Sequence, residues 1–275
     1  MKQPDFSVAL YQQNIVWESP LDNFQKVETA FDVACNGSKV DLLVVPETFT
    51  TGFGNHMASQ AEQPEGPTYH FAVQMAKKWA AMFAGSWTVR DNGIVYNRLH
   101  LVRPDGSYDF YDKAHTFRMS SEASQLGRGN RRVVSEWRGW HIRPAVCYDL
   151  RFPMWLRNTP ELDYDLLLFC ANWPGSRHEA WTTLLKARAI ENLSYAVGCN
   201  RTGSDGTGIV YAGCSAIVDY KGKALSQLDP ASDEEPQERV LTATLSAEGL
   251  SLFRQHWPFN LDFDSPGIYS RQPQQ

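Results

Sequence analysis

Leu166-Leu167-Leu168-Phe169-Cys170-Ala171 is an apolar run without polar alternation. A run of this kind reads as a central strand buried on both faces, the habit of parallel sheets covered by helices. The next stretch of chain agrees. After the turn Asn172-Trp173-Pro174-Gly175-Ser176, the stretch His178 to Asn192 carries Trp181, Leu184, Leu185, Ala189 and Ile190 on one side, with Arg188 and Glu191 breaking the other. Leu42-Leu43-Val44-Val45 reads like the Leu166 run. On one side of it lies a helical pattern from Asp22 to Ala34, with Phe24, Val27, Ala30, Phe31 and Ala34 at helical spacing. On the other lies a second, from Thr68 to Trp79, that comes after Pro67, a residue suited to the first helical position.

Further strands are expected at Phe6 to Tyr11, Met82 to Val89, Leu99 to Val102, Ala145 to Tyr148, Tyr195 to Cys199, Cys214 to Val218 and Val240 to Leu245. Arg103-Pro104-Asp105-Gly106, Trp137-Arg138-Gly139-Trp140 and Asp219-Tyr220-Lys221-Gly222 read as hairpin turns. The mixture predicts an α/β domain of layered sheets and helices. No internal repeat or long linker divides the 275 residues, so a single domain over 1–275 is expected, with a core of about 6–245 and a C-terminal extension over 246–275. Asp229 to Glu238 reads as a solvated loop, and Ser265 to Gln275 as a surface strap or loose end.

The charge balance of 26 Lys+Arg against 31 Asp+Glu, net -5, argues against nucleic acid as a partner. The longest stretch without a charged residue, Thr48 to Ala61, is 14 residues long and contains Asn55 and His56. A membrane helix needs roughly 20 apolar residues, so no membrane association is expected. Five cysteines at irregular spacings and an N-terminus without a signal-peptide shape predict a reduced, cytoplasmic protein. The seven histidines show no ligand-like spacing, so neither a metal nor another cofactor is expected. Gly203-Ser204-Asp205-Gly206-Thr207-Gly208 is glycine-rich, but no helix succeeds it to cradle a phosphate.

Three stretches place a reactive side chain where an apolar run stops, the usual position of catalytic groups in α/β folds. Glu47 comes after Val44-Val45-Pro46 and is either a desolvated base or a solvated strand-end carboxylate. Lys113 closes the strand Tyr108 to Tyr111 and is either a site cation or a solvent-facing lysine. Cys147 ends the run Pro144-Ala145-Val146, and the chain then turns polar through Tyr148-Asp149-Leu150-Arg151. Cys170 and Cys199 lie within apolar runs and read as small buried hydrophobes. A cysteine, a carboxylate and a lysine are the parts needed to hydrolyse an amide or nitrile through a thioester. The cysteine attacks, Glu47 moves protons, and Lys113 stabilises the oxyanion beside the backbone N–H of Tyr148.

Val45-Pro46-Glu47-Thr48-Phe49, Asp112-Lys113-Ala114-His115 and Cys147-Tyr148-Asp149-Leu150-Arg151-Phe152-Pro153 resemble the three signature motifs of the nitrilase (carbon–nitrogen hydrolase) superfamily. They stand in the same order, 66 and 34 residues apart. Phe110-Tyr111-Asp112-Lys113, Glu136-Trp137-Arg138-Gly139-Trp140, Ala171-Asn172-Trp173-Pro174, Ala187 to Asn192 and Cys199 to Gly206 resemble the omega-amidase branch of that superfamily. The resemblance implies a four-layer α-β-β-α sandwich that pairs into an eight-layer homodimer, or a higher homo-oligomer. It implies Glu122 as a second glutamate that holds Lys113, where the residues alone leave open a surface loop carboxylate. It also implies hydrolysis of the terminal amide of a 2-oxo dicarboxylic acid monoamide, such as 2-oxoglutaramate or 2-oxosuccinamate, to the 2-oxo acid and ammonia.

A small substrate with a distal carboxylate needs a cation. Arg151 is the first candidate, as the resemblance also implies, with an ion pair to Asp149 as the alternative. The loop Asn172 to Arg177 departs from the Thr-Gly-Pro-type turn of many relatives, and there Trp173 is a candidate wall and Arg177 a second candidate cation, with simple packing of both as the alternative. Three rival readings stand beside this one. The first is a Cys-His-Asp hydrolase in which His115 or His141 activates Cys147. The second is a silent binding subunit. The third is a sibling enzyme acting on a nitrile, an N-carbamoyl amine or a modified glutathione.

Overall fold

A backbone with apolar side chains on both faces needs cover on both, and two helix-covered sheets supply it in this computed structural model, which describes residues 4–232 and 235–262. The strands are β1 (Phe6–Gln12), β2 (Leu42–Val44), β3 (Met82–Asp91), β4 (Ile94–Val102), β5 (Tyr108–Asp112), β6 (Ser135–Trp137), β7 (Trp140–Val146), β8 (Leu166–Ala171), β9 (Tyr195–Asn200), β10 (Thr202–Ser204), β11 (Val210–Ala212), β12 (Ala216–Val218), β13 (Ala224–Gln227) and β14 (Arg239–Leu245). The helices are α1 (Pro20–Cys35), α2 (Pro67–Trp79), α3 (Glu122–Gln125), α4 (Pro153–Leu156), α5 (His178–Asn192) and α6 (Ala247–His256).

One six-stranded sheet has the order β14-β1-β2-β3-β4-β5, the other β13-β12-β9-β8-β7-β6. The three middle strands of each, β1-β2-β3 and β7-β8-β9, are parallel, and antiparallel strands close both edges. Side chains alternate across each strand, so one set from each sheet forms a shared core. Val8, Leu10, Leu42 and Val44 meet Ile142, Leu166, Leu168 and Val197 there. The opposite set of the first sheet, Ala9, Tyr11, Leu43 and Val45, packs under Val27 and Phe31 of α1 and Phe71 and Met75 of α2. On the outer face of the second sheet Gly198 gives α5 its close approach: a Cβ there would lie 2.7 Å from both Trp181 and Leu185. Helix, sheet, sheet and helix therefore stack as a four-layer α-β-β-α arrangement.

Pro20 and Pro67 begin α1 and α2, and left-handed residues close α2 at Ala80 and α5 at Leu193. Two expectations are corrected. The strand expected over Ala145 to Tyr148 starts earlier and stops at Val146, because Cys147 opens a 3-10 turn. On α5, Arg188 is buried and Ile190 is exposed, the reverse of the amphipathic reading. Arg188 is buried because its guanidinium donates twice to the Leu150 carbonyl, at 3.0 and 2.7 Å. The described residues of Asp229 to Glu238 form a largely exposed loop, as expected, tied at its far end where Glu238 accepts from the Asn14 N–H at 3.0 Å and from the Tyr11 hydroxyl. The glycine-rich stretch is the β10–β11 hairpin, its turn held by the Asp205 carboxylate, which accepts from Thr207 and Ile209. The tail Ser265 to Gln275 lies outside the described residues.

Candidate active site

Glu47, Lys113 and Cys147 lie just beyond the ends of β2, β5 and β7. These ends point the same way, so residues 66 and 34 positions apart in sequence meet where the sheets' carboxyl edges converge. Lys113 Nζ donates to Glu47 Oε1 at 2.9 Å and to both oxygens of Glu122 at 3.0 Å. All three side chains are at most 1% exposed. Glu122 is thus a buried partner of Lys113 and not a surface loop carboxylate. The Glu47 carboxylate also acts on the Cys147 thiol, raising its pKa.

Backbone conformation aims these groups. Cys147 has φ +44° and Thr48, directly after Glu47, has φ +42°, both in the left-handed region. For residues other than glycine such a conformation costs about 1–3 kcal/mol and persists only where surrounding bonds over-determine it. Around Glu47 those bonds are visible. The Asn172 N–H donates to Glu47 Oε2 at 2.8 Å, and its side-chain amide donates to the Glu47 carbonyl at 2.7 Å and to Thr48 Oγ1 at 2.8 Å. Asn97 Nδ2 donates to Glu47 Oε1 at 2.8 Å, and the Thr48 N–H to Ser86 Oγ at 3.0 Å. Sequence reading missed Asn97 as a site residue and gave Asn172 a place in a turn and a family stretch but no role in the site. Alternation held a clue to the first. Asn97 falls on the inward face of β4 with Val95, Leu99 and Leu101, where a lone amide demands partners.

Burial opposes charge on Lys113, but the carboxylates of Glu122 and Glu47 outweigh it and hold its pKa well above the usual lysine value. Glu122 is pushed up by burial, with Lys113 pulling against that and Glu47 adding to it. The Cys147 thiol is driven well above its ordinary value by burial and by Glu47, only partly offset by Lys113. Such a raised pKa favours the thiol over the thiolate, and a thiol attacks only with a base beside it.

Cys147 and Lys113 open into a cavity of about 410 Å³ also lined by Phe53, Phe117, Tyr148, Arg151, Trp173, Arg177 and Tyr211. Glu47 and Glu122 lie behind this lining. Arg151, Trp173 and Arg177 therefore reach the same cavity as Cys147. Arg151 stacks over the Trp173 ring at 4.8 Å, and Arg177 over Phe117 at 5.3 Å. Asp149 is not the ion partner of Arg151. It is fully buried and accepts from His115 Nδ1 at 2.7 Å. Neither His115 nor His141 lines the cavity, and His141 is exposed on β7. Tyr148 stands in the first turn after Cys147, where N–H groups lack an intrahelical acceptor.

Residues 7–255 match the model of the carbon–nitrogen hydrolase family, and the chain belongs to that family. More particularly, it is 41% identical to the omega-amidase YafV of Yersinia enterocolitica over 94% of this chain and 96% of that one. It is 32% identical to the 2-oxoglutaramate amidase of Bacillus subtilis (strain 168), over 81% of this chain and 86% of that one. Among solved structures, a CN-hydrolase superfamily protein from Xanthomonas campestris with an arsenic adduct in its active site aligns with a TM-score of 0.89 at 40% identity, covering 95% of this chain and 98% of that one.

Proposed function

We propose that the protein is an omega-amidase, hydrolysing the terminal amide of 2-oxo dicarboxylic acid monoamides such as 2-oxoglutaramate and 2-oxosuccinamate. One observation carries the reading: Lys113, held between Glu47 and Glu122, enters the same cavity as the Cys147 sulfur and two arginines. The names of the relatives support the substrate class. Glu47 takes the proton from Cys147 Sγ, and the thiolate adds to the amide carbon. Lys113 Nζ and the Tyr148 N–H hold the oxyanion, as groups fixed before charge develops there. The C–N bond then breaks, with the proton on Glu47 passing to the nitrogen, and ammonia leaves a thioester. Glu47 next deprotonates a water that attacks the thioester. Collapse of that adduct breaks the C–S bond, frees the 2-oxo acid and returns a proton to sulfur.

Glu122 keeps Lys113 charged and fixed. Arg151 or Arg177 binds the distal carboxylate, and Trp173 walls the acyl chain, since a guanidinium at the mouth matches a carboxylate geometrically. We also assign to the protein a single domain over residues 1–275, supported by the core its two sheets share. A homodimer fits the half-exposed Ile190, Leu252 and Trp257 on and after α5 and α6. A cytoplasmic setting fits five unpaired cysteines, and no helix among the described residues is long and apolar enough to cross a membrane.

Ammonia release over a panel of 2-oxoglutaramate, 2-oxosuccinamate, glutamine, a simple nitrile and an N-carbamoyl amino acid tests the reading. Fastest turnover of the 2-oxo amides is expected. Preference for the nitrile or carbamoyl compound would reassign the substrate, and no turnover of any, with Cys147 intact by mass, would leave a silent relative.

A further inference from the structure

Hydrolysis through the thioester makes no use of the carboxylate two residues past the nucleophile. Asp149 is fully buried, and four donors converge on it. Its Oδ2 accepts from the Tyr111 hydroxyl at 2.8 Å and the Val146 N–H at 3.0 Å. Its Oδ1 accepts from the His115 N–H at 3.0 Å and His115 Nδ1 at 2.7 Å. A carboxylate only accepts, so that ring nitrogen carries the hydrogen. The Tyr111 hydroxyl in turn accepts from the Ala114 N–H at 3.2 Å and from Trp155 Nε1 at 2.9 Å. The His115 ring is stacked on Phe152, 3.7 Å away with the planes 8° apart.

These anchors bracket the two reactive positions. Tyr111, Ala114 and His115 flank Lys113 on its chain, while Val146 and Asp149 flank Cys147. Within this frame Cys147 keeps its φ of +44°, a conformation that needs its surroundings to hold it. We propose that Asp149 is a positioning residue, a buried carboxylate that fixes the Cys147 sulfur against the Lys113 ammonium by gripping the chain around both. An amide of the same shape would turn two hydrogens toward donors and lose that grip. His115 then serves by holding Asp149, its Nδ1 hydrogen committed to the carboxylate, and not as the base of a Cys-His-Asp triad.

The proposal rests on the amidase reading, and wild-type turnover separates the two. An inactive wild type removes that reading, whereas an active wild type beside fully active variants removes only the role of Asp149. The test compares Asp149→Asn and Tyr111→Phe with wild type for folded fraction by circular dichroism, kcat per folded enzyme, KM, and N-ethylmaleimide labelling of Cys147 read by peptide mass. Asp149→Asn is expected to lower kcat about a hundredfold, the scale of a misplacement near 1 Å. KM should stay within about threefold, because Arg151 and Arg177 are untouched. Labelling should quicken as the elbow loosens. Tyr111→Phe should lower kcat about tenfold at unchanged KM. A merely structural Asp149 would lower the folded fraction and leave kcat per folded enzyme near wild type, which overturns the proposal. Lost kcat with unchanged or slower labelling overturns it too. If Asp149→Asn does not fold, Tyr111→Phe decides alone, and wild-type kcat there sinks the idea.

Discussion

Lys113 is an ammonium almost without water, which stays charged because two carboxylates touch it. Its pKa is raised above the ordinary 10.5, so the charge persists through neutral and mildly alkaline pH and its stabilising pairing is lost only as pH climbs beyond that value. Lys113→Met would strip the oxyanion of its cation and leave Glu47 and Glu122 facing each other. A loss of kcat of about 10²–10³-fold is expected in the ammonia assay, together with a lower melting temperature. Cys147 titrates in the opposite sense for reactivity. Its thiol is raised above the ordinary 9.0, so N-ethylmaleimide labelling should be slow at pH 7 and still climbing past pH 9. Glu47→Gln removes a negative charge that helps raise the thiol, so labelling at pH 8 should speed up while kcat falls about 10²–10⁴-fold. A triad run by His115 would instead leave turnover of Glu47→Gln largely intact. Glu47, Lys113 and Cys147 were legible only as a set of three reactive side chains at strand ends, since each alone left a bland reading open. Asn97, Asn172 and Asp149 were not, because a polar residue that braces another resembles any polar residue until its partner is known.

At the scale of elements, two loops wall the cavity and share one brace. Trp17 fits between glycines: a Cβ on Gly206 would lie 2.4 Å from its indole, one on Gly54 2.7 Å and one on Gly52 2.9 Å. The first of these glycines lies in the β10–β11 turn, which leads to Ile209 and Tyr211, and the other two flank Phe53, all three cavity residues. Gly206→Ala has no strained backbone to relieve and must push the turn off the indole. KM is expected to rise by about tenfold with kcat less affected, as a wall moves and the reacting groups do not. Steady-state kinetics on the preferred amide would show it, and an unchanged KM would mean the turn does not shape the pocket. Helices α1, α2 and α5 and most hairpins were legible from spacing and turn residues. The inside–outside assignment on α5 was not, because two guanidinium donors of Arg188 find one acceptor, the carbonyl of the distant Leu150.

At the scale of the molecule, each sheet repeats one plan of three parallel strands with antiparallel edges, although no repeat shows in the residues. The shared core between the sheets carries the site, since shifting one sheet against the other would part Glu47 from Asn172. Leu168 is fully buried in that core. Leu168→Ala should destabilise by about 2–5 kcal/mol, read as a lower urea midpoint, with kcat close to wild type well below the transition. A large fall in kcat without a shifted midpoint would show that the core holds the site less firmly than its packing indicates.

What the amino-acid order determined alone was local. Runs of Leu, Val and Phe without alternation demanded two-sided burial, turn residues placed the hairpins, and three reactive side chains stood where such runs end. Which sheet each strand joins, which way the ends point and which buried groups answer one another came only with tertiary structure. The reason is physical. A strand's pattern records how much of it must leave water, not against what, and a buried carboxylate is tolerated only when donors from elsewhere in the chain arrive beside it.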